Sequence, residues 1–443
     1  MTRDGMGLSG RGGARIVLAA AAVVIAASAC SPSGGERDAP EVVLIGIDGF
    51  DWNLVDPLVE AGRMPVMERL LAEGTRADLL TLVPLEKSPV IWTTIATGRL
   101  PGEQGRGFLV PTEDDRTGET RQVYTAWHRT HRAFWNILSE QGRTVSVLGW
   151  LETWPAEPVN GSIVTDYVKY FVEQGGDPSG ADRRTWPDSL YAEFDSLVVF
   201  PSDLPDPELA PFLGEELPPD PPKVLRDKLN VLRWVWAGDL TFTAIARSFL
   251  RERPEETMAI YLRGPDAICH DFWGDRMEAA ESGEPGLFGD TIDAYFQEAD
   301  RQVGEILKEI DLTRTTVFLV SDHGFQGPRT ALDGSSRFGI YMHRELGTVL
   351  TAGPWAAGKG LRVEGARVQD VLPTLLHGLG LPVAEDLDGV VAKQLLSPAG
   401  GRDRPVETIA TYEIGDRARD PEAPESPVAD EIREQVEALG YVE

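Results

Sequence analysis

Three apolar segments of this chain each lead into an aspartate, and this recurring pattern constrains the fold more than any other feature. The segments are Glu41–Ile47 (EVVLIGI), Thr257–Leu262 (TMAIYL) and Thr316–Val320 (TVFLV). Continuous apolar runs of this length, rich in β-branched residues, are typical of strands buried on both faces of a parallel sheet. The loops that leave parallel strands meet at the carboxyl edge of the sheet, where ligands bind. We therefore expect the aspartates that follow the strands to lie along that edge: Asp48, Asp266 and Asp322.

Helical patterns alternate with these strands and no fixed-period repeat occurs. The spacing predicts helices over residues 65–74, 88–98, 132–142, 225–250, 292–310 and 368–380. This alternation predicts an α/β three-layer sandwich with a mostly parallel central sheet and helices on both faces. A chain of 443 residues exceeds one ordinary core, so we expect either one large domain with an insertion or two domains.

The proposed insertion covers residues 171–224, where proline and acidic residues are dense. We interpret it as a cap or loop lying over or beside the active edge of the sheet, with a disordered loop as the alternative. It divides the predicted catalytic core into residues 41–170 and residues 225–415. A charged tail with a short helix follows over 416–443.

The N-terminus has the pattern of an export signal. Arg3, Arg11 and Arg15 precede an uncharged apolar run, Ile16–Ala29, which is shorter than the roughly 20 residues of a membrane span. The run ends at Cys30 in a sequence that resembles a bacterial lipoprotein cleavage box, with residues 31–40 as a linker. We expect Cys30 to be lipidated and the protein to be anchored to a membrane of the cell envelope; simple cleavage after an Ala-x-Ala-like site is the alternative.

The charge balance excludes one class of partner. The chain carries 42 basic and 71 acidic residues, a formal net charge of -29. Nucleic-acid binding needs a basic surface, so we expect none. An anionic substrate would need local cations, and bound metal ions in an acidic shell could provide them. No protein partner is evident from the sequence.

Two of the three aspartates have a histidine nearby. Asp322 and His323 are adjacent, and His270 follows Asp266 by four residues, a spacing that places both on one face of a helix. Carboxylate oxygens and imidazole nitrogens together suit a divalent transition metal. The alternatives are a polar turn at Asp322 and a capping aspartate with a surface histidine at Asp266. Taken alone, His343 is weak evidence for a site.

Ser88 stands directly before Pro89 at the predicted start of a helix. This position predicts that Ser88 is the N-cap, and capping could be its whole role. A hydroxyl at a helix N-terminus is also favoured in its alkoxide form by the helix dipole, and Lys87 would add to that effect.

Taken together, these motifs resemble the alkaline phosphatase superfamily, and within it the type I phosphodiesterase and nucleotide pyrophosphatase branch. The resemblance covers about residues 41–396. It rests on VVLIGIDG (Val42–Gly49), SPVIWTTIATGRLPGEQG (Ser88–Gly105), FWNILSEQG, TWPAEPVNGSIVTDY (Thr153–Tyr167), YLRGPDAICHDFW (Tyr261–Trp273), LVSDHGF, HRELGTVLTAGP (His343–Pro354) and DVLPTLLHGLGLP (Asp370–Pro382).

The resemblance implies a two-metal phosphodiesterase with Ser88 as the nucleophile. Asp48, Asp322 and His323 would hold the metal ion that Ser88 approaches, and Ser88 would itself be a ligand of that ion. Asp266, His270 and His343 would hold the second ion. Such pairs of ions stabilise the attacking and leaving oxygens of an in-line displacement. Ser88 would form a covalent phosphoseryl intermediate that water then hydrolyses. We expect zinc, with manganese as the alternative, and a small phosphate ester or a lipid headgroup as the substrate.

Departures from the family pattern limit what the resemblance says about substrate. The nucleotide pyrophosphatases usually carry Thr where this chain has Ser88, Asn where it has Ile91, and His where it has Gln104. A nucleotide substrate is therefore not specified. Lys87 could replace the lost contact to a phosphoryl oxygen, and Trp92 could help to shape an apolar pocket for the leaving group.

Other activities on the same metal site remain open: phosphate-monoester phosphatase, phosphonate hydrolase or phosphotransferase. A sulfatase is disfavoured, because the Cys/Ser-x-Pro-x-Arg setting of those relatives does not occur at Ser88. From a different class of protein, a lipid-anchored binding protein without catalysis is the alternative.

Overall fold

A computed structural model describes residues 39–102, 112–113, 120–121, 125–127, 129–168, 183–330, 336–337 and 342–415. The predicted signal segment with Cys30, residue Gln104 and the charged tail lie outside these residues, as does most of the predicted linker. The predictions made for them stay predictions.

The strands of the described residues, in chain order, are β1 Val42–Ile47, β2 Thr75–Leu80, β3 Thr112–Glu113, β4 Thr120–Arg121, β5 Val145–Leu148, β6 Gly161–Val164, β7 Thr185–Trp186, β8 Thr257–Leu262, β9 Thr316–Val320, β10 Gly324–Phe325, β11 Arg329–Thr330, β12 Ser336–Arg337, β13 His343–Arg344, β14 Leu346–Ala352, β15 Leu361–Arg362, β16 Ala366–Arg367, β17 Val383–Ala384 and β18 Thr408–Ile409. The α-helices are α1 Trp52–Glu60, α2 Pro65–Glu73, α3 Ser88–Thr97, α4 Phe134–Glu140, α5 Tyr191–Phe194, α6 Lys223–Glu252, α7 Gly264–Ser282, α8 Thr291–Leu307 and α9 Val371–Gly378.

One mixed sheet organises the described residues. Its strand order is β15-β2-β14-β9-β1-β8-β5-β6-β7, with β16 also paired to β2. The central strands β9, β1, β8, β5 and β6 are parallel to one another, whereas β14 is antiparallel to both of its neighbours. The predicted α/β fold with a mostly parallel sheet is confirmed. Among the described residues between β9 and β14 the regular elements are the short strands β10 to β13.

Alternate residues of β1 enter two separate hydrophobic cores. Val43, Ile45 and Ile47 belong to a core under α1, α2, α6, α7 and α8. Val42 and Leu44 belong to a second core under α3, α4 and α9. Both faces of the strand are therefore covered by helices, which explains why its sequence is apolar throughout rather than alternating.

The described part of the predicted insertion, residues 183–224, packs against the first core. Its short helical turns bury Leu190, Phe194, Leu209 and Phe212, and the Phe212 ring lies 5.7 Å from that of Tyr295 on α8. These described residues are therefore packed into the fold. Its predicted position over the active edge stays a prediction. Within the described residues, no helix combines the length and the apolar character needed to cross a membrane.

Candidate metal centre

The three aspartates predicted from the strand pattern lie at one edge of the sheet. In the register of the parallel strands, Ile47 of β1 is opposite Leu262 of β8, and Gly46 is opposite Val320 of β9. The three strands thus end at the same level. Asp48 is the first residue after β1, and Asp322 is the second residue after β9. Asp266 lies in the first turn of α7.

Asp48, Asp322 and His323 form the first group of potential metal ligands. One ligand atom from each residue lies within 4.8 Å of the other two. The Nε2 atom of His323 is 3.4 Å from Asp48 Oδ1 and 3.4 Å from Asp322 Oδ2, and all three side chains are buried. A group of this size and composition could hold a single ion.

Ser88 completes this group at the N-terminus of α3. Its Oγ donates a hydrogen bond to Asp48 Oδ1 at 3.3 Å and lies 3.2 Å from His323 Nε2. The hydroxyl is thus next to the atoms that would bind the ion, which is where a metal-activated nucleophile has to be.

Asp266, His270 and His343 form the second group. Asp266 Oδ1 is 3.3 Å from His270 Nε2 and 3.4 Å from His343 Nε2, and the two imidazole Nε2 atoms are 2.9 Å apart. The four-residue spacing of Asp266 and His270 on α7 brings them onto one helix face, as predicted. His343 comes from β13, which pairs with β10 just beyond His323.

The two groups adjoin each other. The rings of His323 and His343 stack with centroids 3.6 Å apart, and His323 Nε2 is 3.8 Å from Asp266 Oδ1. Gly49 makes this approach possible: its φ is +63°, and a Cβ there would come within 2.9 Å of the Asp266 Cα. A residue with a side chain would push the loop after β1 away from α7.

Two buried donors fix the carboxylate of Asp48. Its Oδ2 accepts hydrogen bonds from the Tyr261 hydroxyl at 2.5 Å and from Trp92 Nε1 at 3.0 Å, which leaves Oδ1 for Ser88 and His323. Trp92 is fully buried. It therefore supports a candidate ligand through its indole N–H. Its predicted part in a leaving-group pocket stays a prediction.

The ring of His323 is oriented by a backbone carbonyl. Its Nδ1 lies 3.0 Å from Gly324 O, which can only accept, so Nδ1 carries the proton. Nε2 is then the ring atom that faces the two carboxylates of the first group. Histidines that bind metals are commonly held in this way by their second nitrogen.

The electrostatics of the site call for a cation. Burial, together with the Asp48 and Asp266 carboxylates, holds the pKa of Asp322 well above its usual range. Burial alone would lower the pKa of His323, but the Asp322, Asp48 and Asp266 carboxylates outweigh it and raise that pKa to about 10. The protein's own groups thus take up protons to offset buried negative charge.

The donor set fits a divalent metal. Asp322 Oδ2 is buried and has no hydrogen-bond donor among the described residues. Burial and the neighbouring His323 lower the pKa of His343 to about 3, so its imidazole is neutral, the form that binds metals. A cation between these atoms would satisfy the carboxylate oxygen and replace the protons.

The start of α3 differs from the sequence prediction by one residue. Lys87, not Ser88, is the N-cap, because it is extended (φ -72°, ψ 148°) and its carbonyl accepts from the Val90 and Ile91 amides. Ser88 is the first helical residue. Lys87 is half-buried, and burial lowers its pKa while the Glu86 carboxylate opposes that shift.

Ile91 occupies the position where the family usually has an asparagine, and it does not face the site. Its side chain is fully buried in the second core. An apolar side chain packed there makes no polar contact to a phosphoryl group, so that contact is lost in this protein. Tyr261 is the supporting residue that the sequence analysis missed; its position at the end of an otherwise apolar strand was the available signal.

A serine hydroxyl beside two adjoining groups of carboxylates and imidazoles, at the carboxyl edge of a parallel sheet, has the composition of a metal-assisted hydrolase centre. The family model for type I phosphodiesterase / nucleotide pyrophosphatase matches residues 42–373, so the chain belongs to this family. The resemblance found in the sequence is confirmed, and the protein is a phosphodiesterase/nucleotide pyrophosphatase-like hydrolase.

Three solved structures that the chain resembles are distant matches. A 2-O GAG sulfatase is 13% identical with a TM-score of 0.49, covering 81% of this chain and 74% of its own. Human ectonucleotide pyrophosphatase/phosphodiesterase 5 is 12% identical with a TM-score of 0.46, covering 80% and 99%. Phosphonoacetate hydrolase from Sinorhizobium meliloti is 17% identical with a TM-score of 0.38, covering 68% and 59%. No curated protein sequence gives a significant match. The family assignment therefore rests on the family model.

Proposed function

We propose that this protein is a two-metal phosphodiesterase that acts through a covalent phosphoseryl intermediate. The observation that carries the proposal is the position of the Ser88 hydroxyl, 3.3 Å from Asp48 Oδ1 and 3.2 Å from His323 Nε2, in a first ligand group that adjoins a second. Membership of the family shows that the protein is a hydrolase, and the position of Ser88 supports the two-metal mechanism with a phosphoseryl intermediate.

Each group of three ligands would hold one divalent ion, zinc being the ion that suits the mixture of oxygen and nitrogen donors. Bound ions would supply positive charge to the oxygens of the phosphoryl group and favour the alkoxide form of the serine. Asp48, Asp322 and His323 would hold the ion next to Ser88. Asp266, His270 and His343 would hold the other.

In the first step, Ser88 Oγ attacks phosphorus on the side opposite the leaving oxygen. The new Oγ–P bond forms as the ester P–O bond breaks, and the alcohol departs with a proton. In the second step, a water attacks the same phosphorus, the Oγ–P bond breaks, and Ser88 regains its proton. The Tyr261 and Trp92 hydrogen bonds hold the Asp48 carboxylate fixed through both steps.

Replacing Ser88 with Ala tests the nucleophile. We expect S88A to lose turnover of bis(p-nitrophenyl) phosphate while retaining two metal ions per chain, because the six carboxylate and imidazole ligands remain. Ser248→Ala on α6 is the matched control and should behave as wild type. Retained turnover in S88A would refute the nucleophile assignment.

The substrate class and the binding-protein alternative require separate measurements. Comparing kcat/KM for a phosphate monoester, a diester and a phosphonate tests the diester preference; a faster monoester or phosphonate would contradict it. Metal analysis of the purified protein that finds no bound ions, together with no turnover on any of the three, would favour a binding protein without catalysis.

We also propose that the protein is exported and anchored to the cell envelope through a lipid on Cys30. The support is the arginine-rich start, the short apolar run Ile16–Ala29 and the cleavage-box pattern. Cys30→Ala expressed in a bacterial host should not incorporate labelled palmitate and should leave the membrane fraction. Unchanged labelling would show that the anchor is elsewhere.

A further inference from the structure

A cavity of about 580 Å³ lies at the same edge of the sheet as the candidate metal centre. Its floor is formed by the end of β2 and the residues that follow, Leu80–Pro84. β2 is antiparallel to β14, which is antiparallel to β9, so β2 runs in the same direction as β9. The carboxyl end of β2 is therefore on the catalytic edge. The volume is in the range of small-molecule binding sites.

Chain connections place this cavity next to the reacting serine. Glu86 lines the cavity and is two residues before Ser88, a separation that the backbone cannot extend beyond about 7 Å. On the other side, Leu80 pairs with Leu346, three residues after His343, and the Thr81 amide donates to Glu345 O at 2.9 Å. The cavity thus adjoins elements that carry both the nucleophile and a candidate ligand of the second group.

The walls of the cavity are mainly apolar where they approach solvent. Val83 is 62% exposed and Leu100 is 42% exposed, and Pro84 and Pro101 lie beside them. Large apolar side chains left in water at the mouth of a cavity gain free energy when an apolar ligand covers them. The mouth therefore suits an apolar group.

The remaining wall carries hydrogen-bond donors. Arg367 and Gln369 line it, and the Glu86 carboxylate lines the cavity as well. A ligand that contacts both walls would have an apolar body and an oxygen acceptor such as an ester or carbonyl group.

We infer that this cavity binds one arm of the phosphodiester substrate, and that the arm is a long-chain alkyl or acyl group of the kind found in lipids. The inference rests on the proposed function, since the phosphorus must sit at Ser88. It places the specificity pocket on the β2 side of α3 and not at Trp92. It also accounts for an acidic protein acting on a phosphate ester, because the substrate would be held by apolar contact as well as by charge.

Alkyl p-nitrophenyl phosphates with methyl, butyl and octyl chains test this inference with metal-loaded protein. Each methylene that becomes fully buried should raise kcat/KM by up to about fourfold, so the octyl ester should exceed the methyl ester by at least tenfold. A ratio near one would overturn the inference.

Leu100→Asp should reduce the octyl-to-methyl ratio of kcat/KM toward one, because it places a charge in the apolar mouth. Leu361→Asp is the matched control. Leu361 is exposed to the same extent, 43% against 42%, but pairs with Thr75 at the opposite end of β2. An unchanged ratio in L100D, or an equal fall in L361D, would contradict the pocket assignment.

Binding of octyl phosphate, measured by calorimetry, separates this inference from the proposed function. If no ester in the series is hydrolysed but octyl phosphate binds wild type at least tenfold more tightly than L100D, the pocket stands and the catalytic proposal fails. If esters are hydrolysed and binding of octyl phosphate is equal in both proteins, the catalytic proposal stands and the pocket fails.

Discussion

Arg344, which follows the candidate ligand His343, forms a bidentate ion pair with Asp51. Its Nε donates to Asp51 Oδ2 at 2.9 Å and its Nη2 to Oδ1 at 2.8 Å. Asp51 is fully buried and also accepts from the Phe325 amide at 2.9 Å. The ion pair therefore links the loop after β1 to the antiparallel strands β10 and β13.

Replacing Arg344 with Met should weaken metal binding and stability together. It leaves a buried carboxylate without its cation, a change that costs about 3–5 kcal/mol at fully buried sites; Arg344 is partly exposed, so we expect the lower end. Misplacing His343 should raise the metal dissociation constant about 10–100-fold. Urea unfolding and a metal titration measure the two effects.

Arg362→Met serves as the control for R344M. Its partner Asp78 is at the surface, with side-chain exposures of 58% and 33%, so the loss should stay below about 1 kcal/mol. Wild-type metal affinity in R344M would contradict the positioning role of the pair.

The N-terminus of α7 is held by Asp239 of α6. Asp239 accepts from the Arg263 and Gly264 amides at 3.1 Å and 3.0 Å and from the Tyr295 hydroxyl at 3.0 Å. Asp239→Asn keeps the shape but loses the charge and one acceptor. We expect a loss of about 1–3 kcal/mol and weaker metal binding, since Asp266 lies two residues beyond Gly264.

Tyr295→Phe separates the two roles of Asp239. It removes a single donor and leaves both amide hydrogen bonds in place, so we expect a loss of about 1 kcal/mol with metal affinity unchanged. Equal metal affinities in D239N and wild type would show that α7 holds Asp266 without this cap.

Tyr261→Phe should lower metal affinity about 10-fold or more by removing the 2.5 Å hydrogen bond to Asp48 Oδ2. Burial and the Asp48 carboxylate hold the pKa of Tyr261 well above its usual range, so the hydroxyl stays a donor at every working pH. The ratio of affinities should therefore be constant from pH 6 to 9. A ratio that changes across this range would contradict a simple donor role.

The sequence was sufficient to bring five of the six candidate ligand residues together with Ser88, and there is a physical reason. Each aspartate follows a strand buried on both faces, and such strands have a continuous apolar sequence that can be recognised locally. Parallel neighbours then bring their ends to one edge whatever the details of packing. His343 was the exception, since only the family resemblance linked it to Asp266 and His270.

The supporting contacts could not be predicted because they join residues far apart in the chain. Asp51 and Arg344 are 293 positions apart, and Asp48 and Tyr261 are 213 apart. From the sequence alone, a tryptophan in an apolar helix, such as Trp92, could either line a pocket or act as a buried hydrogen-bond donor. The choice depends on the close approach of α3 to Gly46, where a Cβ would lie 2.7 Å from the Trp92 ring.

A buried acid away from the ligand groups should make stability depend on pH. Burial raises the pKa of Glu152 to about 8, with the Thr93 hydrogen bond and Arg129 opposing the shift and Asp166 adding to it. The folded state then holds a proton that the unfolded state releases near pH 4.5. Stability should therefore fall as pH rises toward 8.

Burial also raises the pKa of Asp166, to about 6, so Asp166 contributes little between pH 6.5 and 8. Asp322 and His323 keep their raised pKa values in both proteins, so the difference between wild type and E152Q reports Glu152. Across that window the part of the loss that is due to Glu152 should be at most about 2 kcal/mol, and Glu152→Gln should remove that part. Glu281→Gln at the exposed end of α7 is the control and should keep the wild-type slope. Parallel stability curves for wild type and E152Q in urea unfolding would show that Glu152 is ionised in the folded protein throughout this range.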